Sequence, residues 1–292
     1  PRTRAEQLLA AIASPLTSGD ITLRLTSLFS SPAEKSAVVE SLMHVDASQL
    51  KLADEPGGWK KAVIDIVAIT FGENGQVVEE VNRTETVRVR GEALRLMLAE
   101  GLVYMLKLPV KKPGAYQLRV AVRDTLTDKL GSASQFIEVP DLKKERLAVS
   151  GIFISTAGET NGAAAAAAAP PSAREGERDP LRDAAVRRFR QGTTVDFIYY
   201  VYNAKVERAG GRPRLHTQTR LFRDGQPVFT GPQLAHEVAA EAPASRLPGG
   251  GRLQLGKQLP PGDYVLQLIV TDELARGPAA TATQWIDFEI VK

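Results

Sequence analysis

Two stretches of this chain repeat each other. Pro113-Gly114-Ala115-Tyr116-Gln117-Leu118 returns as Pro261-Gly262-Asp263-Tyr264-Val265-Leu266, 148 positions further on. Asp124 matches Asp272 at the same offset, and Ser134-Gln135-Phe136-Ile137-Glu138 matches Thr283-Gln284-Trp285-Ile286-Asp287 one residue further out. Upstream, Phe71 to Gln76 and Phe222 to Gln226 share an aromatic, a turn and a Gly-Gln pair. Matches in one order at a nearly constant spacing mean that one structural unit is built twice. A length of 292 residues agrees, being about two ordinary domains.

The unit is made of strands, because the dominant hydrophobic period is two. Tyr116, Leu118, Val120 and Val122 fall on one face of a strand, and Gln117, Arg119 and Arg123 on the other, which predicts one wet face. Similar segments lie at 21–29, 63–71, 102–108, 132–139, 146–155, 194–203, 214–223, 251–258, 263–271 and 282–291. Asn74-Gly75 and Asp224-Gly225 each separate two such runs and predict hairpins. Helix is confined to Arg4–Ala13, which stops before Pro15, and to Glu92–Glu100, ended by Gly101. Residues 156–182, with seven consecutive alanines between polar and Pro-rich flanks, have little to bury and read as a surface insertion.

The Pro-Gly-x-Tyr-x-Leu element narrows the fold. In immunoglobulin-like sandwiches a Tyr near the start of strand F hydrogen-bonds back to the corner before it, and the core position follows two residues later. Tyr116 and Tyr264 take that structural corner, and Leu118 and Leu266 the core position. Strand F then covers 112–123 and 260–271, and strand G covers 132–139 and 281–291. The expected fold is all-β: tandem immunoglobulin/fibronectin-like β-sandwich domains with a short N-terminal helix. Residues 1–13 read as the helical tail of an upstream segment, 14–141 as the first sandwich, and 142–292 as the second, carrying the Ala/Pro-rich insertion. Trp59 and Trp285 are expected in core or corner positions.

The chemistry-bearing residues are few. Cysteine is absent, which removes thiolate nucleophiles, disulfides and zinc–thiolate sites, and only His44, His216 and His236 supply imidazole. No two histidines stand at ligand spacing. Gly251-Arg252-Leu253-Gln254-Leu255-Gly256-Lys257-Gln258 approaches a phosphate-binding loop, but Gln258 replaces the magnesium-ligating hydroxyl and the segment alternates like a strand. Asp46-Ala47-Ser48-Gln49-Leu50 approaches an Asp-x-Ser-x-Ser metal motif and lacks its second serine. No catalytic, cofactor-binding or metal-ligating residue is therefore assigned, and the chain is not expected to be an enzyme. Lys and Arg number 37 against 34 Asp and Glu, a net charge of +3 too small to point to nucleic acid. No apolar run reaches the roughly 20 residues of a membrane-spanning helix.

The stretches Val110–Asp124, Gly131–Phe136, Leu221–Phe229 and Ala282–Phe288 resemble the C-terminal region of bacterial, chiefly acidobacterial, VWFA-related domain-containing proteins. The resemblance covers nearly all of the chain outside 156–182 and transfers no functional residue. It implies an exported, extracytoplasmic, non-catalytic protein whose von Willebrand A-like domain lies upstream. The expected function is thus a structural, adhesion or assembly module, with a protein partner or a homo-oligomer. The alternatives are a carbohydrate- or cell-surface-binding module, for which Tyr202 is a candidate exposed aromatic, and an accessory subunit of a larger membrane complex.

Overall fold

Where the sequence alternates, the backbone is extended and paired. The structure, a computed structural model, describes residues 3–14, 16, 18–33, 36–110, 112–157, 180–207, 211–236 and 245–292. The chain is all-β with three short helices among the described residues. It divides into two compact units: residues 1–27, 40–108 and 114–139 form the first, and 28–39, 109–113 and 140–292 the second. A single cut near residue 141 therefore does not separate them, since residues 28–39 group with the second unit. There Ser31 N–H donates to Tyr202 Oη at 2.9 Å, Gly151 N–H donates to the Phe29 carbonyl at 3.1 Å, and the Phe29 and Tyr202 rings lie 5.8 Å apart.

The first unit contains α1 (Arg4–Ala13), parts of β1 (Leu23–Ala33) and β2 (Ser36–Val45), whose residues 28–33 and 36–39 group with the second unit, and β3 (Ala53–Glu55), β4 (Trp59–Phe71) and β5 (Val77–Val89). There follow α2 (Gly91–Glu100), β6 (Leu102–Val110), β7 (Gly114–Asp124) and β8 (Leu130–Val139). One sheet has the order β1-β2-β6; the other runs β3-β4-β7-β8, with β5 on β4. Ile64, Ile66 and Ala68 of β4 and Tyr116, Leu118, Val120 and Val122 of β7 are buried. The opposite face of the same strands, expected to be wet, is covered by α1: Leu8, Ala11 and Ile12 pack on Val67, Ile69 and Ala121. Its basic residues fold into that cover, Arg119 Nη1 donating to the Ile12 carbonyl at 2.9 Å and Arg123 Nε to Gln7 Oε1 at 2.8 Å. Helix α1 has a capping box between Thr3 and Glu6. It is therefore a docked element of the first unit, where the sequence suggested only a tail.

The second unit contains β9 (Ala148–Val149), β10 (Phe153–Thr156), α3 (Pro180–Val186), β11 (Arg188–Arg190), β12 (Thr194–Tyr202) and β13 (Leu215–Arg223). It continues with β14 (Gln226–Thr230), β15 (Leu234–Ala235), β16 (Arg246–Gln254), β17 (Gly262–Asp272) and β18 (Thr281–Val291). Its sheets are β10-β12-β16 and β11-β18-β17-β13-β14, with β9 on β12 and β15 on β13. Strand β11 runs parallel to β18. Placed beside the first unit, β10, β12 and β16 correspond to β1, β2 and β6, and β18, β17, β13 and β14 to β8, β7, β4 and β5. Both units thus share the immunoglobulin-like connectivity of a sandwich with an added strand after C. Val195 and Phe197 from one sheet meet Leu221, Leu266, Leu268 and Phe288 from the other in one core.

The strand expected at 251–258 lies at 246–254, because Gly249–Gly251 weaken its alternation. These glycines make room for rings, since a Cβ on Gly251 would stand 2.5 Å from Phe197 Cζ and one on Gly249 2.5 Å from Tyr199. Of the expected insertion, Thr156 ends β10, Asp183 in α3 accepts its N–H at 3.2 Å, and residues 158–179 lie outside the described residues.

The repeat extends to a pair of buried carboxylates that close each unit in the same way. Asp124, 1% exposed at the end of β7, accepts Lys51 N–H at 2.7 Å and Leu126 N–H at 2.8 Å. Asp272, 1% exposed at the end of β17, accepts Lys205 N–H at 2.8 Å and Leu274 N–H at 2.9 Å. Each carboxylate ties the segment after the second sandwich strand to the turn between the last two strands.

Candidate functional site

Tyr264 is 1% exposed and its hydroxyl donates to the Pro260 carbonyl at 2.7 Å, four residues upstream. Tyr116, at the same place in the first unit, is 6% exposed. Tyr264 thus makes a bond back to the preceding corner, and the surface beside it is the more informative one.

That surface is assembled by three adjacent strands. The β13–β14 hairpin turns through Asp224 (φ 51°) and Gly225 (φ 74°), the two positive values of a type I′ turn, which suit an Asp-Gly pair. Strand register sets Phe222 beside Val265 and Val265 beside Asp287, with Trp285 two residues before Asp287 on the same face. The result is a groove of about 620 Å³ floored by Phe222, Val265 and Trp285 and rimmed by Asp224, Asp263 and Asp287. The Phe222 and Trp285 rings are 5.6 Å apart at 53°.

Trp285 is 49% exposed, so the core position expected for it is corrected; its alternation places it outward, opposite the buried Ile286. Trp59 is half-buried and lies beneath two guanidinium groups, Arg90 at 4.6 Å and Arg88 at 5.5 Å. Tyr202 is 2% exposed and cannot serve as an exposed aromatic.

The rim is negative but partly balanced. Arg187 Nη2 reaches Asp287 at 2.9 Å, and Arg223 Nε stands 3.5 Å from Asp224. Asp263 has no ion-pair partner among the described residues. Arg223 also lies 5.7 Å from the Tyr264 ring centre and donates to the Pro261 carbonyl at 3.2 Å. An aromatic floor with carboxylates above it can hold a cationic side chain by ring-face attraction and by charge-assisted hydrogen bonds. Sequence reasoning missed this site because its aromatics belong to strands. The available signal was the repeat itself, which sets Trp285 opposite Phe136, itself 66% exposed.

The three histidines are dispersed. His44 Nε2–H donates to the Glu100 carbonyl at 2.7 Å, closing the end of α2, and His216 Nδ1 meets Glu273 at 2.9 Å. His236 Nε2–H donates to the Pro248 carbonyl at 3.1 Å while its Nδ1 faces Tyr199 Oη at 3.4 Å. Burial holds the His236 pKa below the ordinary value of 6.5, and burial raises the Tyr199 phenol to about 12. A depressed imidazole pKa gives stability that is complete above pH 6.5 and is lost as pH falls through the folded-state value. Thermal midpoints measured from pH 7.5 downward should therefore fall more steeply for the parent than for His236→Gln below pH 6.5; parallel curves would refute the assignment. Among the described residues no group of three or more His, Asp or Glu could hold a metal ion.

No family model matches the chain, and no curated protein sequence matches it. Among solved structures, a β-glucuronidase of Bacteroides uniformis is similar over 40% of this chain at 15% identity (TM-score 0.25). The chain covers 13% of that enzyme's length. The C-terminal domain of the Streptococcus agalactiae AgI/II polypeptide BspA is similar over 93% of this chain and 100% of its own, at 11% identity (TM-score 0.23). That of the Streptococcus pyogenes antigen I/II-family protein AspA is similar over 92% and 99%, at 9% identity (TM-score 0.23). No function is carried over at these scores. No helix among the described residues is long and apolar enough to cross a membrane.

Proposed function

We propose that the chain is a non-catalytic adhesion or assembly module of an extracytoplasmic VWFA-related protein, and that it holds a polypeptide segment bearing Lys or Arg. The observation that supports the reading is the open Phe222–Trp285 floor under the Asp224, Asp263 and Asp287 rim. In the first unit α1 covers the middle of the corresponding face, at Val67, Ile69 and Ala121, while Phe136, the twin of Trp285, is 66% exposed.

A Trp59→Phe background makes Trp285 the single fluorescent reporter, since the chain has two tryptophans. Titration with Lys- and Arg-containing peptides should give a saturable, salt-sensitive change. In unlabelled competition, Trp285→Ala should weaken binding by about thirtyfold, the loss typical of a central aromatic anchor. Saturation by oligosaccharides instead, with the same residues required, would make this a carbohydrate-binding module. No response to either class would refute the site.

A further inference from the structure

The first unit has a strand edge of a kind that the second unit has closed. β5 is 13 residues long, contains neither Pro nor Gly, and pairs through β4 alone among the described residues. Its twin β14 is 5 residues long, carries Pro227, and meets β13 across a bulge between Leu221 and Phe222. Short length, proline, bulges and edge charges are the usual devices that stop one sheet edge from pairing with another, and β5 carries only the charges, which are of both signs. It is long and free of proline, and its one register irregularity lies at the hairpin, between Thr70 and Phe71.

We infer that β5 is a self-association edge, on which a second copy of this chain pairs antiparallel about a two-fold axis through Thr84. The residue pattern selects this register. Outward-facing backbone groups alternate along a strand, so two copies can meet only where residues of equal parity oppose each other. With the axis at Thr84, Arg83 stands opposite Glu85, Asn82 opposite Thr86, Val81 opposite Val87, and Glu80 opposite Arg88, each pair occurring twice. Moving the axis one residue either way sets Arg83 against Arg83 or Glu85 against Glu85. Alternate burial along β5 places Val81, Arg83, Glu85 and Val87 on the half-buried face and Glu80, Asn82, Thr84, Thr86 and Arg88 on the exposed one. The valine pair and one charge pair therefore extend the interior side of the sheet, and the other charge pair lies outside. Arg83 and Glu85 already meet within the strand at 3.1 Å, whereas Arg88 reaches across β4 to Glu55 of β3 at 2.7 Å, so pairing with Glu80 of a second copy exchanges that contact.

This inference uses a different surface from the groove, and charge reversal tests it. Light scattering on the eluting whole chain should show a concentration-dependent dimer of twice 31.5 kDa. Glu80→Lys sets Lys against Arg88, and Arg88→Glu sets Glu against Glu80, so each variant alone should self-associate about tenfold more weakly than the parent. An equimolar mixture of the two variants restores opposite charges at both contacts and should form the heterodimer, as should the double variant with itself. Both side chains are exposed, and unchanged circular dichroism will show that each variant folds. A parent that stays monomeric, single variants that dimerise like the parent, or a mixture that fails to recover the dimer would each overturn the inference. None of these results bears on peptide binding, which Trp285 reports separately.

Discussion

Asp65→Ala is expected to destabilise the first unit by about 4 kcal/mol, the largest effect of any polar substitution in this chain. The Asp65 side chain is fully buried between β4 and α1. Thr84 Oγ donates to Oδ1 at 2.9 Å, Arg4 Nη2 meets Oδ1 at 2.5 Å, and Arg123 Nη1 meets Oδ2 at 3.2 Å. Burying a carboxylate costs several kcal/mol, and here two guanidinium groups and a hydroxyl offset it. Alanine removes the acceptor but leaves Arg123, whose side chain is 13% exposed, under the helix with Gln7 and Asp128 as its remaining partners. Arg4, 48% exposed, is released to water at little cost. Asp65→Asn keeps the bond from Thr84 and loses both charge contacts, so its cost falls between parent and alanine. The pair Asp65→Leu with Arg123→Met should recover most of the loss, because no buried charge is then left unpaired. Urea unfolding read by Trp59 in a Trp285→Phe background measures all four proteins. A loss below about 1 kcal/mol for Asp65→Ala would mean that α1 does not seal this site.

The architecture was legible where a physical period or a turn was written into the residues. Helix α1 begins and ends where its composition and Pro15 place it, and the strands of the repeat fall within two or three residues of their alternation. Elements without strong alternation were lost. β5 carries five charges and a polar centre, so beyond the hairpin signal at Asn74-Gly75 its length was not legible, and pairing with the apolar β4 makes it a strand. β16 was shifted by three consecutive glycines whose purpose, room for Phe197 and Tyr199, depends on another strand. The Asp-Gly hairpin was legible in detail, whereas Asn74-Gly75 closes a longer turn in which Gly75 N–H reaches the Gly72 carbonyl at 2.9 Å.

The candidate site was hidden for a related reason. Phe222, Val265 and Trp285 come from three strands separated by tens of residues, and each sits in an alternation that suits a core face equally well. Whether a strand face is buried depends on what covers it. In the first unit α1 supplies the cover, and Arg119 and Arg123, which read as solvent residues, become half-buried hydrogen-bond donors to it. In the second unit Trp285 stays 49% exposed beside a half-buried Phe222, and its twin Phe136 in the first unit is exposed as well.

That likeness makes one further quantitative demand. Asp272→Ala should destabilise the second unit by about 3 kcal/mol, lowering the transition reported by Trp285 by about 10 °C. The substitution deprives two backbone N–H groups, those of Lys205 and Leu274, of a charged acceptor that is 1% exposed. Hydrogen bonds to charged groups contribute about 1.5–3 kcal/mol each, and relief from burying the carboxylate returns part of that sum. Asp272→Asn retains one acceptor oxygen and should cost about half as much. Because Asp124 accepts Lys51 and Leu126 N–H in the same arrangement, Asp124→Ala should show a loss of similar size in the transition reported by Trp59. Tyr264→Phe removes a single bond to the Pro260 carbonyl and should cost only about 1 kcal/mol. The order of these effects decides which part of the repeated element holds each sandwich closed. If Tyr264→Phe costs more than Asp272→Ala, the tyrosine corner dominates; the number and charge of the hydrogen bonds favour the aspartate.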